Sequence, residues 1–533
     1  MALVLIGFMG AGKSTLAARL AERRGRAPID GDALLQERFG HSVAHQFELH
    51  GEQAFRATEE EVVCDALERA HARDVIALGG GSVLSARIRA ALAHHTTALI
   101  EVAPDIAWDR VRRDDGAERP LARDRDAFEA LYAQRRPLYE QVADARLLWA
   151  ETASGEYPVF IGGGLLGTAA AGGTSGATAA GGPLAALWPL DTGSSRPYLV
   201  TDTTVADLYG AALEVLDAGA PPARTTLEPG ESHKTLASAE RVWTAMAQAG
   251  VTRAGHVVAL GGGVVGDLAG FCAATYQRGV PVVQVPTTLV AQVDSAYGGK
   301  TGVDLPEAKN YVGAYHQPAA VLVDPDTLRT LPPAELAAGW VEVLKTALIA
   351  GGELWERVAA EAPGAVPGER TILECARVKL AVVAEDERDG GRRQVLNLGH
   401  TVGHAIETAT GYGRYLHGEA VGLGLLAALR LSGQTALREQ VRELLRARDL
   451  PVTLELDPSA AGVDAGVARI GAGVARIDAG AAGMDALLAA LGRDKKRLGA
   501  RVPFVLLDAP GEVRVGCEVD ERELRAAVAE LGV

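Results

Sequence analysis

A glycine-rich segment near the start of the chain constrains its fold most strongly. Residues 7–14, GFMGAGKS, satisfy the pattern GxxxxGK[ST], follow an apolar run over residues 2–6 and precede a helical pattern over residues 13–24. In this strand, loop and helix context, backbone N–H groups surround phosphates, the lysine reaches the β and γ oxygens, and the serine ligates Mg²⁺. The segment therefore predicts a nucleotide-binding P-loop.

Length and charge bound the kinds of protein that this chain can be. Its 533 residues exceed what one hydrophobic core usually organises, so we expect two to four domains. Hydrophobic residues make up 48% of the chain and charged residues 23%, which is typical of globular proteins. The formal net charge of −15 disfavours phosphate backbones and anionic lipid as partners. We expect small-molecule substrates, no nucleic acid and no membrane.

Cysteine usage and the N-terminal residues predict a cytoplasmic protein. The four cysteines lie far apart in the chain, so neither a disulfide framework nor a cysteine zinc site is indicated. No basic segment precedes an apolar core at the N-terminus, and no cleavable signal is predicted. The uncharged run over residues 157–190 contains repeated Gly with Thr, Ser and Pro. It indicates a Gly/Ala-rich loop around residues 167–182 and not a membrane helix.

Apolar runs and turn residues divide the chain into three predicted domains. Strand-like runs alternate with helical patterns over residues 1–150, which predicts a P-loop domain with a parallel sheet. Further strand-like runs over residues 151–330 predict a Rossmann-like α/β domain. Over residues 331–533 the apolar spacing of three and four predicts a mostly helical subdomain. The predicted fold class is α/β with a helical C-terminal part.

Five more motifs in the first domain match one kinase family. They are DGD at 30–32, GEQAFR at 51–56, LGGG at 78–81, RPL at 119–121 and RRPLY at 135–139. With the P-loop, they make residues 1 to about 148 resemble shikimate kinase, which implies ATP and Mg²⁺ as cofactors. The residues implied are, at the nucleotide, Gly10, Gly12, Lys13, Ser14, Thr15 and Arg119, at Mg²⁺, Ser14 and Asp30, and at shikimate, Asp32, Arg56, Gly80 and Arg135.

The chemistry of these side chains agrees with that resemblance. The planar guanidinium groups of Arg56 and Arg135 suit a carboxylate, and Asp32 can accept hydrogen bonds from ring hydroxyls. Phosphoryl transfer depends mainly on positioning and charge neutralisation, so Asp32 and Lys13 are the predicted catalytic residues. Arg136 directly follows Arg135, and the sequence leaves open which of the two binds shikimate.

A second glycine motif lies in the second predicted domain. Residues 261–267, GGGVVGD, match GxGxxG after a predicted strand and before a helical pattern. No acidic residue follows about 20 positions later, as the usual dinucleotide fingerprint requires. By itself this motif is weak evidence for a dinucleotide site.

Histidines and a charged pair mark the helical subdomain. His400 and His404 share one helical face at i, i+4, and His417 lies near a predicted helix start. Neutral imidazoles suit zinc, and catalytic zinc sites use three protein ligands and an open position. Glu342 and Lys345 place an anion and a cation on one face of an otherwise apolar helix. These residues predict a metal site whose ligand set the spacing alone leaves open.

An ordered series of motifs makes residues from about 151 to 533 resemble 3-dehydroquinate synthase. The motifs include EPGESHKT at 228–235, PTT at 286–288, GGKTG at 298–302, NLGH at 397–400 and DKK at 494–496. The resemblance implies conversion of 3-deoxy-D-arabino-heptulosonate 7-phosphate to 3-dehydroquinate and phosphate. It also implies NAD⁺, Zn²⁺ or Co²⁺, and a homodimer formed through this half.

The same resemblance implies a role for each matching residue. Those at NAD⁺ would be Asp202, Glu231, Lys234, Gly262, Gly263, Asp267, Thr287, Thr288, Asp294, Lys300 and Lys309. The metal ligands would be Glu342, His400 and His417, which makes His404 a proton-transfer residue. The substrate residues would be Arg278, which reaches a neighbouring subunit's phosphate, and Asn310, Lys379, Asn397 and Lys495. The catalytic side chains would be Lys300, Lys345, Arg388 and His404.

Together the two resemblances predict a bifunctional enzyme of aromatic precursor synthesis. Two alternatives stay open at this point. In one, the C-terminal half is another sugar-phosphate cyclase and releases phosphate from a different open-chain sugar. In the other, one half is a non-catalytic nucleotide-sensing module, which binds nucleotide without turnover.

Overall fold

The computed structural model describes residues 1–113, 124–167, 182–190, 196–216, 222–305, 308–455, 487–488, 490 and 503–532. The chain forms two compact units. The first comprises residues 1–150, 155–287 and 299–326, and the second comprises residues 151–154, 288–298 and 327–533. A short segment from the middle of the predicted α/β domain, residues 288–298, therefore packs with the later helices.

One sheet organises the first unit. Among the described residues it has eleven strands in the order β2-β3-β1-β4-β5-β6-β13-β10-β9-β7-β8. Strands β5 and β6 are consecutive, and the other neighbouring pairs are parallel. The strands of this sheet are β1 Leu3–Ile6, β2 Ile29–Asp30, β3 Val75–Ala77, β4 Thr96–Leu99, β5 Ala145–Thr152, β6 Gly155–Ile161, β7 Pro197–Asp202, β8 Ala223–Leu227, β9 His256–Gly261, β10 Val282–Pro286 and β13 Ala320–Val323. A separate two-stranded sheet pairs β11 Lys300–Leu305 with β12 Ala308–Tyr315.

Helices connect these strands, as crossovers between parallel strands require. Several begin at a side chain that accepts a hydrogen bond from the first turn: Asp30 before α2, Ser42 before α3 and Thr235 before α9. The helices of the first unit are α1 Lys13–Arg23, α2 Gly31–Phe39, α3 Val43–Arg69, α4 Ala86–Leu92, α5 Pro104–Arg113, α6 Arg125–Val142, α7 Pro183–Leu187, α8 Thr203–Tyr209, α9 Leu236–Gln248 and α10 Gly263–Thr275.

A continuous hydrophobic core runs through the first unit. It includes Leu5 of β1, Ile76 of β3, Leu99 of β4, Phe160 of β6 and Leu322 of β13, all of them buried. Strands of a parallel sheet are covered on both faces, which is why these short segments read as unbroken apolar runs. The core of the N-terminal half thus continues into the α/β half that follows it in the chain.

The second unit is centred on three packed helices, α11 Pro333–Ala350, α14 His400–Ala409 and α15 His417–Leu431. Glycines allow α15 to approach the other two closely. A Cβ at Gly418 would lie 1.9 Å from Ala338 O of α11, and a Cβ at Gly424 would lie 2.0 Å from Gly399 O. The remaining elements are α12 Gly352–Ala359, α13 Glu369–Glu385, α16 Thr435–Arg446, α17 Glu521–Ala529 and a hairpin of β14 Phe504–Ala509 and β15 Glu512–Cys517.

The α/β class with a helical C-terminal part is confirmed, but several strands escape the sequence pattern, among them β2, β8, β11, β12 and β13. Strand β5 extends to Thr152, although the strand pattern fades after Leu147. The hairpin of β14 and β15 lies in the subdomain that was predicted as mostly helical. Strand β2 has only two residues, too few for a periodic signal. Within the described part of the chain, no helix is both long enough and apolar enough to cross a bilayer.

Candidate active sites

The P-loop forms the turn between β1 and α1. Gly12 caps α1 with φ 89°, and Gly10 has φ 78°, conformations that residues with a Cβ rarely adopt. A Cβ at Gly10 would also lie 2.7 Å from Ala107 O of α5. The glycines of the motif are therefore required by backbone geometry and by close packing.

The first turn of α1 presents donors to an anion. Lys13 Nζ donates to the carbonyl oxygens of Gly7 and Phe8, each at 3.0 Å. Ser14 and Thr15 follow, and both are exposed. The N–H groups of a first helical turn have no intrahelical acceptors and carry partial positive charge. The structure therefore places the predicted nucleotide ligands of the P-loop at one helix N-terminus, together with the predicted Mg²⁺ ligand Ser14.

Two aspartates lie where α2 begins. Asp30 Oδ1 accepts from the backbone N–H groups of Asp32 at 2.9 Å and Ala33 at 3.1 Å, so this predicted Mg²⁺ residue is also a helix cap. Asp32 Oδ1 would lie 3.0 Å from a Cβ at Gly79. Asp32 is thus placed beside the glycine-rich turn that follows β3.

Arg56 of α3 lies against the same turn. A Cβ at Gly81 would overlap its guanidinium group, with distances of 2.2 to 2.5 Å. The guanidinium also pairs with Glu52 and with buried Glu59, which accepts a second hydrogen bond from Ser82 Oγ at 2.8 Å. Arg56 is therefore held at the glycine-rich turn by two carboxylates.

Burial separates the two adjacent arginines of α6. Arg135 is 2% exposed and donates from Nη1 to Gly80 O at 3.2 Å, and Tyr139 Oη donates to the same oxygen. Burial lowers the pKa of Arg135, and its Nε has no hydrogen-bond partner among the described residues. Arg136 points elsewhere and pairs with Glu140 at 2.8 Å. The structure therefore places Arg135 with Asp32, Arg56 and Gly80 around one turn.

The second glycine motif has the setting that a dinucleotide phosphate requires. Gly262 caps α10, which begins at Gly263, so backbone N–H groups are exposed at a helix N-terminus. Thr287 follows β10, and its N–H donates to Gly261 O at 3.0 Å. This geometry brings the predicted residues Gly262, Gly263 and Thr287 to neighbouring carboxyl ends of parallel strands, the usual ligand edge of such a sheet.

A buried lysine links several other predicted residues of the first unit. Lys234 Nζ lies 2.6 Å from Asp267 Oδ2 and 2.6 Å from Asn310 Oδ1. Burial lowers the pKa of Lys234, but Asp267 and Glu231 outweigh it and raise that pKa. Lys309 Nζ lies 3.8 Å from Glu231 Oε1. These five side chains form one polar cluster.

Three further predicted residues of the first unit lie outside that cluster. Asp202 caps α8 by accepting from the N–H of Val205 at 2.9 Å, and burial raises its pKa. Lys300 begins β11 and is exposed. Arg278 is exposed in a turn, with φ 68°.

The second unit brings together one carboxylate and two imidazoles. Nε2 of His400 and Nε2 of His417 lie 3.5 and 3.6 Å from Glu342 Oε1, and the three ligand atoms lie within 4.8 Å of one another. These distances are long for hydrogen bonds, and buried Glu342 Oε1 has no shorter hydrogen-bond partner among the described residues. Tetrahedral ligands of Zn²⁺ lie roughly 3.4 Å apart. The arrangement therefore fits a divalent cation.

The other nitrogen of each imidazole faces an acceptor. His400 Nδ1 lies 3.2 Å from Leu398 O, and His417 Nδ1 lies 3.4 Å from Glu407 Oε2. Such outer contacts direct Nε2 toward a metal. His404 lies one turn after His400, with ring centroids 5.3 Å apart. Burial lowers the pKa of His417, but the flanking carboxylates raise it to about 10.

A charge network adjoins Glu342 within the second unit. Lys345 Nζ pairs with Glu342 Oε2 and lies 3.4 Å from Asp294 Oδ2, and Lys379 Nζ pairs with Asp294 Oδ1. The two lysines hold the pKa of Asp294 well below its usual range although burial opposes this shift. Asp294 lies in the π-helical segment Ala291–Ser295, and such segments are frequent at functional sites. Thr288 precedes this segment in the same unit.

Another pair of arginines lies in the loop before α14. Arg388 is exposed, whereas Arg393 is 1% exposed and donates to Gly298 O at 3.0 Å and to Glu387 O. Asn397 ends the same loop and is half-buried. Arg119, Lys495 and most of the predicted loop over residues 167–182 lie outside the described residues.

Sequence reasoning missed three residues at these sites. Glu407 follows His400 by seven residues on the same helix face, and this spacing could have identified it. Tyr139 ends the motif that contains Arg135, but nothing in the sequence indicates that it bonds to Gly80 O. Nothing in the sequence distinguishes buried Arg393 from exposed Arg388.

Family models match three parts of the chain. The shikimate kinase model matches residues 9–157. The model of the 3-dehydroquinate synthase N-terminal part matches residues 224–338, and the model of its C-terminal part matches residues 339–465.

Individual proteins resemble this chain over most of their own length. A 3-dehydroquinate synthase from Symbiobacterium thermophilum is 41% identical over 386 residues, which are 69% of this chain and 96% of that protein. A 2-deoxy-scyllo-inosose synthase, solved with carbaglucose-6-phosphate, NAD⁺ and Co²⁺, shares the fold at a TM-score of 0.57 and 23% identity, over 72% of this chain and 99% of that one. A 2-epi-5-epi-valiolone synthase from Streptomyces hygroscopicus, with NAD⁺ and Zn²⁺ bound, has a TM-score of 0.52 and 28% identity, over 63% of this chain and 91% of that one.

Proposed function

Since this chain belongs to the 3-dehydroquinate synthase family and carries a shikimate kinase domain, we propose that it catalyses two reactions of aromatic precursor synthesis. The N-terminal half transfers the γ-phosphoryl group of ATP to shikimate. The later half converts 3-deoxy-D-arabino-heptulosonate 7-phosphate to 3-dehydroquinate and phosphate. The observation that carries the second activity is the buried carboxylate oxygen of Glu342, which faces the Nε2 atoms of two imidazoles at 3.5 and 3.6 Å.

Charge and position support the kinase roles. Lys13 and the first turn of α1 neutralise the nucleotide phosphates, with Mg²⁺ held by Ser14 and Asp30. Arg135 binds the shikimate carboxylate, because its buried guanidinium retains an Nε–H that has no acceptor in the part of the chain that the structure describes. Asp32 orients the attacking hydroxyl beside Gly79. Arg119, which is not among the described residues, is proposed to contribute to nucleotide binding.

The donor set in the second unit supports a catalytic metal. Glu342, His400 and His417 provide one oxygen and two nitrogens, a set that suits Zn²⁺ or Co²⁺ and leaves positions open for substrate. When bound, the cation acts as a Lewis acid on substrate oxygens, and NAD⁺ takes up and returns a hydride. His404, one turn from His400, moves a proton on the substrate side of the site. Lys345 neutralises charge beside Glu342.

Residues of both units divide the remaining tasks. In the first unit Asp202, Glu231, Lys234, Asp267 and the glycine motif bind NAD⁺. Asp202 ends β7 and the glycine motif follows β9, and the carboxyl ends of parallel strands are the usual ligand edge of such a sheet. Lys300 and Lys309 of the same unit belong to that proposed site. In the second unit, Lys379, Arg388, Asn397 and Lys495 bind the substrate's phosphate, carboxylate and hydroxyls.

Assembly and location form a separate part of the proposal. We place the enzyme in the cytoplasm as a homodimer formed through the synthase half, with exposed Arg278 reaching the neighbouring subunit's phosphate. The net charge of −15 disfavours nucleic acid as a partner. Light scattering of the purified chain is expected to give twice the monomer mass of 55.5 kDa, and a monomeric mass would contradict this part.

Two single variants test the assignment of separate active sites. Lys13→Ala is expected to lower shikimate-dependent ADP formation by about 100-fold or more, because a phosphate-binding charge is lost. His417→Ala is expected to lower phosphate release from the heptulosonate phosphate by a similar factor. Each variant should retain the other activity within about twofold.

The same assays decide between the open alternatives. Phosphate release from another open-chain sugar phosphate, and none from the heptulosonate phosphate, would make the later half a different cyclase. Nucleotide binding without turnover would make the N-terminal half a sensing module. Loss of both activities in either folded variant would contradict separate active sites.

A further inference from the structure

Strand β5 joins the two halves of the first unit without a linker. On one side, Ala145 of β5 pairs with Ala98 of β4. On the other side, β5 neighbours β6, whose Val159 pairs with Val321 of β13. Only residues 153–154 separate β5 from β6. The last strand of the kinase half is therefore the sheet neighbour of the first strand of the NAD-binding half.

Helix α1 bonds to the backbone of the NAD-binding half. Arg23 donates from Nη1 to Ala319 O at 3.1 Å and from Nη2 to Glu156 O. Arg24, which is 3% exposed, donates to Ala186 O at 2.6 Å. These three carbonyls belong to β6, to α7 and to the residue before β13. Because α1 begins at the P-loop, one helix extends from the nucleotide site to the other half.

A charged and aromatic cluster fixes α1 to strands β5 and β6. Glu156 pairs with Arg19 at 2.7 Å and accepts from Trp149 Nε1 at 3.1 Å. The guanidinium groups of Arg19 and Arg23 lie 5.6 and 5.4 Å from the centre of the Trp149 ring. Cations stacked on an aromatic ring add to the ion pair.

From the shared sheet, the shared core and these contacts, we infer that the two halves of the first unit unfold as one cooperative body, so that a ligand bound to either half protects both. Separating the halves would break the sheet beside β5, expose the common core and leave the carbonyl partners of Arg23 and Arg24 unpaired. A state with only one half folded is therefore unfavourable. A ligand at 100 times its Kd lowers the unfolded population of the whole body about 100-fold.

Hydrogen exchange of the full chain tests this inference, and the choice of ligands rests on the proposed function. Exchange of the amides of Leu3–Ile6 in the kinase half and of His256–Gly261 in the NAD-binding half is followed with and without NAD⁺ at 100 times its Kd. Both segments are expected to slow by the same factor, up to about 100-fold. ATP with Mg²⁺ should produce the same paired protection.

The outcomes separate this inference from the proposed function. If NAD⁺ slows exchange in His256–Gly261 and leaves Leu3–Ile6 unchanged, the halves are independent and the inference is wrong. If NAD⁺ slows neither segment, the proposed NAD⁺ site fails, and the ATP experiment still tests the coupling. Protection of Leu3–Ile6 alone by ATP would also overturn the inference.

A pair of variants assigns the coupling to α1. Arg23→Ala with Arg24→Ala is expected to reduce the protection that NAD⁺ confers on Leu3–Ile6, whereas protection of His256–Gly261 is retained. The control is Arg26→Ala, because Arg26 pairs with Asp74 inside the kinase half at 3.0 Å. If NAD⁺ still protects Leu3–Ile6 fully in the double variant, the two arginines do not contribute to the coupling, which would then depend on the shared sheet and core. The hydrogen-exchange measurement on the unsubstituted chain, with and without ligand, tests the inference even if a variant fails to fold.

A different observation concerns Glu407, and it rests on the proposed metal site. Glu407 of α14 is 2% exposed, and its Oε2 lies 3.4 Å from His417 Nδ1. Ligand atoms of His404, Glu407 and His417 also lie within 4.8 Å of one another, so Glu407 is either a ligand of a second cation or an acceptor for His417. A neutral imidazole whose Nε2 binds a cation carries its hydrogen on Nδ1.

This geometry points to Glu407 as a positioning residue that orients His417, because Nε2 of the same ring already faces Glu342. The metal-free chain is titrated with Zn²⁺ in competition with a chromophoric chelator. Glu407→Ala is expected to weaken binding about 10- to 100-fold, and Glu407→Gln less, since an amide oxygen still accepts. The control Glu439→Gln alters an exposed pair with Arg442 and should not change Zn²⁺ affinity.

Stoichiometry separates the outcomes. Unchanged Zn²⁺ affinity in both Glu407 variants would overturn the positioning role. Two bound Zn²⁺ ions in the parent chain and one in Glu407→Ala would make Glu407 a ligand. No Zn²⁺ binding by the parent chain would instead contradict the proposed metal site.

Discussion

At the scale of single residues, burial gives identical side chains different tasks. Arg135 and Arg136 are neighbours on α6, but one lies against Gly80 and the other pairs with Glu140 at the surface. The same division separates Arg393 from Arg388 in the loop before α14. A buried guanidinium has lost its water, so it binds an incoming carboxylate more strongly than an exposed one does.

The two arginines of α6 make a matched test of the kinase site. Arg135→Ala is expected to lower kcat/KM for shikimate by roughly 10- to 100-fold, the loss of one charge-assisted hydrogen-bond pair. Arg136→Ala removes only an exposed ion pair and should change kcat/KM less than about threefold. Steady-state kinetics with varied shikimate measure both. Equal losses of kcat/KM in the two variants would contradict the assignment of Arg135 as the residue that binds shikimate.

A buried histidine makes the stability of the chain depend on pH. Burial lowers the pKa of His256 to about 4, below the usual value of about 6.5. Between these values the unfolded chain binds more protons, so the free energy of unfolding falls as the pH falls, by roughly 2 kcal/mol from pH 7 to 5. His256→Gln should remove this part of the slope in denaturant titrations at the two pH values. An identical slope in both proteins would contradict it.

At the scale of elements, close helix contacts bring the proposed metal ligands together. Glu342 lies on α11, His400 on α14 and His417 on the first turn of α15. Gly418 allows the first turn of α15 to lie against Ala338 O of α11. The distance between Glu342 and His417 therefore depends on a residue without a side chain.

Adding one methyl group tests that dependence. Gly418→Ala is expected to lower the free energy of unfolding by about 1–3 kcal/mol, because its Cβ would meet backbone, and to weaken Zn²⁺ binding by moving His417. Gly422→Ala is the control on the same helix, since its Cβ would meet the flexible end of Leu445 at 3.3 Å. Chemical denaturation and Zn²⁺ titration measure the two effects. If the two variants have the same free energy of unfolding and the same Zn²⁺ affinity, the close contact at Gly418 does not determine the position of His417.

At the scale of the whole molecule, two activities with different requirements are carried on one chain. The P-loop belongs to the first unit, and the proposed metal ligands belong to the second. The first unit continues from the kinase half into the NAD-binding half through one sheet. The two activities are therefore assigned to separate sites, whereas the kinase half and the NAD-binding half of the first unit are inferred to unfold together.

Metal removal is expected to separate the two activities. Dialysis against a chelator followed by return of Mg²⁺ should abolish phosphate release from the heptulosonate phosphate and leave ADP formation from shikimate and ATP unchanged. Zn²⁺ or Co²⁺ should restore the lost activity. Synthase activity that survives complete metal removal would contradict the assignment of Glu342, His400 and His417.

Much of the local structure was predictable because it depends on neighbouring residues. The apolar spacing predicts helices over residues 333–350 and 400–409, and both have these bounds in the structure. The apolar runs over residues 2–6, 257–260 and 281–285 predict β1, β9 and β10 to within one residue at each end. Long apolar helices and runs bounded by Gly or Pro produce strong periodic signals. Strands β5, β14 and β15 have eight, six and six residues, and they were missed because periodicity alone does not distinguish a run of this length from a helical segment.

The sequence by itself determined the two chemistries, since a P-loop, its flanking motifs and the ordered synthase motifs each require particular residue types at fixed local spacings. Only the tertiary structure decided that Arg135 and not Arg136 meets Gly80, that Glu407 faces His417, and that β5 serves both halves of one sheet. Motifs act through the backbone within a few residues, whereas these contacts join residues far apart in the chain. Their formation depends on how whole helices and strands pack, which no local pattern records.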